Sequence, residues 1–328
     1  MGHASKTKDE AFVSAWEKSG GSPTIVGEIL GITLRAVLAR RNRIEARYKT
    51  ILASHSPLAI KHKPEKAIAI INSRRDVNRI EIEDGVILVG SDAHYAPGVI
   101  PMAHKALCNL IVDMGSQVKA VVLNGDILDG GAISRHSRIR WKKPLNVKDE
   151  LDAVIARTAD IEQAIAPGTH LFRTYGNHCA RFESRLSAMV PQFEGVAGFT
   201  LRDHLPKWED SDRIDVNEDM AIIHDWHSGI HSGWNDVLKG GCHTVTGHTH
   251  ELGAKAHKGF KGVHYGIKTG MLADEVQEQF DYRLGKPGLN WQSGFAVLTW
   301  RNGMLLHPEF CAVRDDGNAY FRGKLLAD

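Results

Sequence analysis

A chain of 328 residues and 36.2 kDa, with 42% hydrophobic and 24% charged residues, is balanced for folding and long enough for two domains. That excludes a disordered, collagen-like or disulfide-scaffold protein. The net charge of +2 is uneven: residues 1–75 hold 14 of the 41 Lys/Arg and 6 of the 39 Asp/Glu, a net of +8 against −6 for the remainder. A basic N-terminal quarter fits a module that meets an anionic partner, nucleic acid first; a solvated Lys/Arg-rich surface gives the same sum. No apolar run approaches the ~18 residues of a membrane helix. The polar start MGHASKTKDEAF lacks the apolar core of a signal peptide. Cys108, Cys179, Cys242 and Cys311 form no C-x-x-C pair, so a reduced, cytoplasmic setting without membrane contact is expected.

Phe12, Val13 and Trp16 mark one face of a first helix, which Gly20-Gly21 breaks. Ser22-Pro23 reads as an N-cap followed by proline in the first turn, and Val26, Ile29 and Leu30 form the apolar stripe of a second helix ending at Gly31. Thr33 is placed to cap a third helix with Leu34, Val37, Leu38 and Ile44 on one side and Arg35, Arg40, Arg41, Arg43 and Arg47 on the other. Gly27, Gly31 and the surrounding Val26, Leu30, Ile32 and Val37 resemble the helix-turn-helix pattern of DNA-binding proteins, with Arg40 where an apolar residue is usual. The resemblance implies a small all-α domain over residues 1–52 that contacts DNA through Arg35, Arg40, Arg41 and Arg43. A three-helix packing module without DNA contact is the plainer reading. Residues 53–79, interrupted by Pro57 and Pro64, read as a linker.

From residue 80 the pattern is α/β. Arg79–Glu83 alternates, Asp84-Gly85 is a hairpin signal, and Val86–Val89 is a buried-strand run. A helix is predicted over Met102–Met114, strands over Val118–Leu123 and His170–Thr174, and a long helix over Asp149–Ala166. Short strands follow at Met220–Ile223 and Thr244–Val245. The C-terminal part is strand-rich: Gly294–Trp300, an Asn302-Gly303 turn, Met304–Leu306, then Cys311–Arg314 and an Asp316-Gly317 turn.

Ligand-type residues recur at the ends of these strands: Asp92-x-His94, Gly125-Asp126-x-x-Asp129, Gly176-Asn177-His178, His224 and Gly247-His248-Thr249-His250. Carboxylate, amide oxygen and imidazole together suit Mn2+, Fe or Zn2+ better than a thiol-seeking ion. Ligands from separate strand ends can enclose two ions ~3.5–4 Å apart, with a carboxylate bridging them. The five blocks in this order resemble the calcineurin-like metallophosphoesterase superfamily over residues 80–328. The resemblance implies a β-sandwich flanked by helices and two divalent ions, Mn2+ first, with Fe, Zn2+ or Ni2+ as alternatives. It implies that Asp92, His94 and His250 bind the first metal, Asp126 bridges, and Asn177, His224 and His248 bind the second. His178 would be the general acid, oriented by Asp129, while a hydroxide activated by both ions attacks phosphorus. His227 rivals His224, which is preferred because it directly follows an apolar strand. His136, His204, His231 and His243 have no motif role, and Cys179, where many members carry an acid, reads as a packed cysteine.

Protein Ser/Thr phosphatases of that superfamily carry Arg after G-D-x-x-D; Gly130-Gly131 stands here, which disfavours that branch. Downstream, Arg135, Arg138, Arg140, Trp141, Lys142 and Lys143 suit a nucleic-acid strand, as does Arg181 after G-N-H; a solvated loop is the plainer reading. The expected function is a phosphodiesterase or nuclease acting on DNA, possible as an oligomer. Alternatives are a phosphomonoesterase on a nucleotide or phosphoprotein, and a non-catalytic DNA-binding regulator.

Overall fold

The computed structural model describes residues 3–50, 52, 77–135, 145–283 and 289–328. The chain divides into two units, Met1–Arg74 and Arg75–Asp328.

Among the described residues the first unit has three helices: α1 (His3–Lys18), α2 (Pro23–Leu30) and α3 (Leu34–Tyr48). Phe12, Trp16, Val26, Val37 and Ile44 are buried between them. Thr33 caps α3, its hydroxyl accepting from the Ala36 amide at 3.3 Å. Gly31 ends α2 in the left-handed region (φ 62°), and its N–H donates to the Gly27 carbonyl. A Cβ at Gly27 would stand 2.9 Å from the Ile32 carbonyl oxygen, so a small residue there lets the chain turn tightly into α3.

Two expectations for α3 are corrected. Leu34 and Leu38 are exposed rather than buried, and only Val37 and Ile44 supply its core stripe. Arg40 and Arg41 turn into the unit. Arg40 pairs with Asp9 at 3.4 Å and lies over the Phe12 ring, while Arg41 pairs with Glu45 at 2.9 Å and lies over the Trp16 ring. The aromatic faces of α1 and the Asp9 charge compete for these guanidiniums. Arg35 and Arg43 remain exposed.

The predicted linker 53–79 falls largely outside the described residues, and its last three residues belong to a strand. The second unit has fifteen strands among its described residues. They are β1 (Val77–Ile80), β2 (Gly85–Gly90), β3 (Val118–Asn124), β4 (His170–Thr174), β5 (Glu209–Ser211), β6 (Arg213–Val216), β7 (Met220–Ile222) and β8 (His243–Thr246), followed by β9 (Leu252–Gly259), β10 (Gly262–Thr269), β11 (Gly294–Arg301), β12 (Met304–Leu305), β13 (Glu309–Val313), β14 (Ala319–Phe321) and β15 (Lys324–Ala327). The helices are α4 (Met102–Met114), α5 (Val147–Ala164), α6 (Ala180–Met189), α7 (Leu201–His204) and α8 (Ser232–Gly240). One sheet runs β1-β6-β7-β8-β10-β9. The other runs β15-β14-β13-β11-β2-β3-β4-β5, with β12 beside β11.

The period of two along β2 shows how the layers stack. Val86 and Leu88 join the core made with α4 and α5, whereas Ile87 and Val89 join Ile214, Ile222 and Val245 of the facing sheet. The second unit is thus an α/β sandwich of two sheets with helices on the outside. Among the described residues no helix is long and apolar enough to cross a membrane.

The Asp84-Gly85 hairpin does not form. β1 pairs in parallel with β6, and β2 lies in the other sheet between β3 and β11. Ile80 and Ile82 are buried between the sheets, and the Asn217 side chain accepts from Ile82 N at 2.8 Å and donates to its carbonyl at 3.1 Å. Tied to the β6 side, the segment crosses between layers at Asp84-Gly85 instead of folding back. The Asn302-Gly303 and Asp316-Gly317 turns do join antiparallel neighbours, β11 to β12 and β13 to β14.

His104, buried on α4, meets the Tyr95 hydroxyl at 2.9 Å and Asp160 at 3.3 Å. Burial pushes its ring down to about 4 against the partial support of Asp160. An unfolded imidazole titrates near 6.5. Between these values only the unfolded chain takes up the proton, so stability present above pH ~6.5 is lost as pH falls through ~4. This site contributes up to roughly 3 kcal/mol to that loss. His104→Gln is expected to flatten the decline, measured as urea midpoints at pH 7.5 and 5.0; an unchanged difference between the two pH values would refute the assignment.

Candidate metal centre

Parallel β2, β3 and β4 of one sheet and β7 and β8 of the other deliver their carboxyl ends to one place. Asp92 and His94 follow β2, Asp126 and Asp129 follow β3, and Asn177 and His178 follow β4. His224 follows β7, and His248 and His250 follow β8. Donor atoms of Asp92, His94 and His250 lie within 4.8 Å of one another, as do those of His94, Asp126 and His178, and those of Asp126, His224 and His248. Asn177 joins through its Oδ1, 3.0 Å from His248 Nδ1. Every predicted ligand is therefore at the cluster. The rival His227 is not: its Nδ1 pairs with buried Asp236 at 2.8 Å.

The backbone is bent to bring these side chains together. Of nine described non-glycine residues with positive φ, five are Asp92, His94, Asp126, His248 and His250, a concentration that marks sites where packing holds strain. The motif glycines answer to close approach. A Cβ at Gly125 would meet the His224 ring at 2.3 Å, and one at Gly176 would meet Asp126 Oδ1 at 2.1 Å.

Each ligand type is half satisfied by protein and half open. Asp92 Oδ2 accepts from Ser91 Oγ at 2.6 Å and from the His248 amide at 2.7 Å, while buried Oδ1 faces His250 Nε2 at 3.3 Å without a well-formed hydrogen bond. Asp126 Oδ1 accepts from the His178 amide at 2.7 Å, and its Oδ2 faces His224 Nε2 at 3.1 Å. His224 donates from Nδ1 to the Asn124 carbonyl at 2.7 Å, and His94 from Nδ1 to Asp129 at 3.0 Å. Those bonds place a proton on each Nδ1, so Nε2 is the nitrogen that each ring can offer to a cation. Both Nε2 atoms, and His250 Nδ1, are buried without hydrogen-bond partners. Ligands ~2.1 Å from one tetrahedral ion stand ~3.4 Å apart, within a few tenths of an ångström of the 3.1 Å between His224 Nε2 and Asp126 Oδ2.

The charges agree. Burial alone would raise the Asp92 carboxyl, but His250, His224 and His94 hold it well below the usual carboxylate range. Burial alone would lower His224, but Asp92 and Asp126 raise it to about 9. Without an ion, a proton on the His224 ring partly balances the carboxylates. Orphaned lone pairs, oxygen–imidazole chemistry and unbalanced negative charge all fit divalent cations.

Asp129 is shared. Its Oδ1 accepts from His94 Nδ1 and from His178 Nδ1, each at 3.0 Å. Burial opposes its ionisation, but these two bonds keep it ionised well below the usual range. Arg181 donates to the Asp129 carbonyl at 2.9 Å and approaches His178 Nε2 at 3.0 Å.

Several contacts gave no signal in the sequence. Phe280 and Trp291 pack on His250, at 5.9 and 4.2 Å between ring centroids, and Phe280 also packs on His94 at 5.3 Å. Gln279 donates to the His94 carbonyl at 2.6 Å. No periodicity links this distant loop to the motifs. Arg135 is exposed, whereas Arg138, Arg140, Trp141, Lys142, Lys143 and His136 lie outside the described residues.

No protein-family profile matches the chain, and no curated protein matches it. Among solved structures it is similar to a Zn2+ complex of Vps29 from Entamoeba histolytica, at 13% identity and a TM-score of 0.37 over 72% of this chain and 96% of that one. It is also similar to an archaeal phosphodiesterase, at 16% identity and a TM-score of 0.33 over 69% of this chain and 99% of that one. A third is a protein serine/threonine phosphatase from Saccharomyces cerevisiae with similarity to human phosphatase PP5, at 13% identity and a TM-score of 0.34 over 74% and 84% of the two chains.

Proposed function

We propose that the chain is a metal-dependent phosphoesterase whose substrate is a nucleic-acid phosphodiester. One observation carries the reading: loops of two sheets bring buried carboxylate oxygens and imidazole nitrogens, several without hydrogen bonds, into one space beside an Asp-oriented histidine. Asp92, His94 and His250 would hold one ion, Asn177, His224 and His248 another, with Asp126 between. Two divalent ions, Mn2+ first, would neutralise charge on the phosphoryl oxygens and lower the pKa of water at the site.

The remaining steps belong to the protein. Asp129 holds the His178 ring by Nδ1 and would stabilise its imidazolium form, whose Nε2–H would face the leaving oxygen and pass it a proton. Arg181, now against Nε2, is placed to turn onto the phosphoryl oxygens as substrate arrives, freeing Nε2. For nucleic acid the support is the cationic run after Gly131, Arg181, and the basic first unit. There Arg35 and Arg43 carry the DNA contact, since Arg40 and Arg41 are engaged inside the unit.

The reading is tested with Mn2+ on a chromogenic phosphodiester, the matching monoester, and single- and double-stranded DNA. Cleavage of the diester and of DNA is expected, and EDTA should abolish both. Monoester turnover without DNA cleavage would replace the substrate class, and no turnover of anything would overturn the enzyme reading.

A further inference from the structure

Helix α8 and the β9–β10 hairpin carry none of the five ligand blocks, yet they form a surface that leads away from the metal centre. Ser232, at the start of α8, donates to Glu251 at 3.1 Å, and Glu251 directly follows His250. Along α8, Trp234 packs edge-on against His257 of β9 at 5.7 Å. Gly233 and Gly266 let helix and hairpin touch: a Cβ at Gly266 would meet the Gly233 carbonyl at 1.8 Å. The eight residues of β9 reach roughly 26 Å to a tip at Phe260, whose relative exposure is 112%.

Along β9 and its turn the lysines stand three residues apart, so Lys255 and Lys258 flank the edge strand from opposite faces. Residues 252–269 contain Lys255, Lys258, Lys261 and Lys268 and no acid. Lys268 is buried against Asp236 at 3.0 Å, and the other three are exposed. β9 is an edge strand, and lysines alone would suit an edge kept from pairing. A fully exposed phenylalanine at the tip, with Ile230 83% and Trp234 42% exposed beside α8, works against solubility and needs another reason. Regular cations with interleaved aromatics match an anionic backbone that carries flat bases.

We infer that α8 and the β9–β10 hairpin form a track for single-stranded nucleic acid, leading the strand to the metal centre. Lys255, Lys258 and Lys261 contact phosphates, and Phe260 and Trp234 stack bases. The inference deepens the proposed function and rests on its nucleic-acid reading.

The test measures anisotropy of labelled oligothymidylate bound to the full chain. It is done with Mn2+ in a His178→Ala background so that the strand persists. Phe260→Ala is expected to weaken affinity about 10-fold, by loss of one stacked base. The triple variant Lys255→Ala, Lys258→Ala, Lys261→Ala is expected to weaken it further. It should also reduce the slope of log affinity against log salt by about 2, the value for three lost contacts to a single strand. In the wild-type background neither change should alter turnover of the small diester.

Unchanged oligothymidylate affinity and slope in both variants overturn the track, even if the small diester is cleaved. Loss of affinity with no diester turnover in the parent chain leaves the track standing and removes the catalytic reading instead. Binding to duplex DNA or to phosphatidylglycerol vesicles that depends on Phe260, with oligothymidylate unaffected, also overturns it.

Discussion

On the proposed reading, replacing Asp126 with alanine is expected to lower metal content and to reduce phosphodiester hydrolysis by ~10³-fold or more. Asp126 Oδ2 faces His224 Nε2 at 3.1 Å, while Oδ1 accepts the His178 amide at 2.7 Å and the Cys179 amide at 3.4 Å. The alanine therefore deletes the central charge and releases the turn that carries His178. Asn at this position keeps the shape and both acceptor contacts but loses the charge, so it separates the two effects. Asp126→Asn should restore the fold and the His178 turn without restoring metal content, measured by elemental analysis of the purified protein. Hydrolysis at wild-type rate in Asp126→Ala would remove the metal centre from the reaction.

Asp210→Ala is expected to lower stability by about 3–5 kcal/mol, because it leaves a buried guanidinium uncompensated. Arg173 is fully buried on β4, donates from Nε to Asp210 at 2.9 Å with a second bond beside it, and lies 5.3 Å from the Tyr175 ring centroid. Against a typical stability of 5–15 kcal/mol this is a large fraction. Arg173→Met combined with Asp210→Leu should recover most of the loss, since it removes both charges and fills the volume. Urea unfolding of the three proteins decides it. A single-variant loss below ~1 kcal/mol would mean that the pair is solvated and structurally incidental.

The parts of the molecule legible in the sequence are those where local and tertiary preference agree. Met102–Met114 repeats apolar residues at helical spacing under a helix-covered sheet, and α4 spans that range. His170–Thr174 is likewise the range of β4. The five ligand blocks were visible because strand ends put chemically unusual residues next to glycines, and steric contact requires those glycines at Gly125 and Gly176.

Where tertiary contacts override local signals, the reading fails. Asp84-Gly85 has hairpin chemistry, but Asn217, far along the chain, ties Ile82 to the other sheet. Arg40 and Arg41 look like a solvent-facing basic stripe, yet Phe12 and Trp16 offer ring faces that only the folded unit reveals. The β9–β10 hairpin escaped because glycine and lysine dilute its alternation, and one strand lies exposed at a sheet edge.

The split origin of the cluster has a consequence for how the chain matures. Asp92, Asp126 and Asn177 emerge from the ribosome well before His224, His248 and His250, and the two groups come from different sheets. Synthesis proceeds from the N-terminus, so the early portion can offer only part of the candidate ligand set. Tight capture must wait until the later strands have docked, a non-local and therefore slow step. On the proposed reading, ion uptake would report completion of folding, and a chain truncated before the later strands would stay metal-poor.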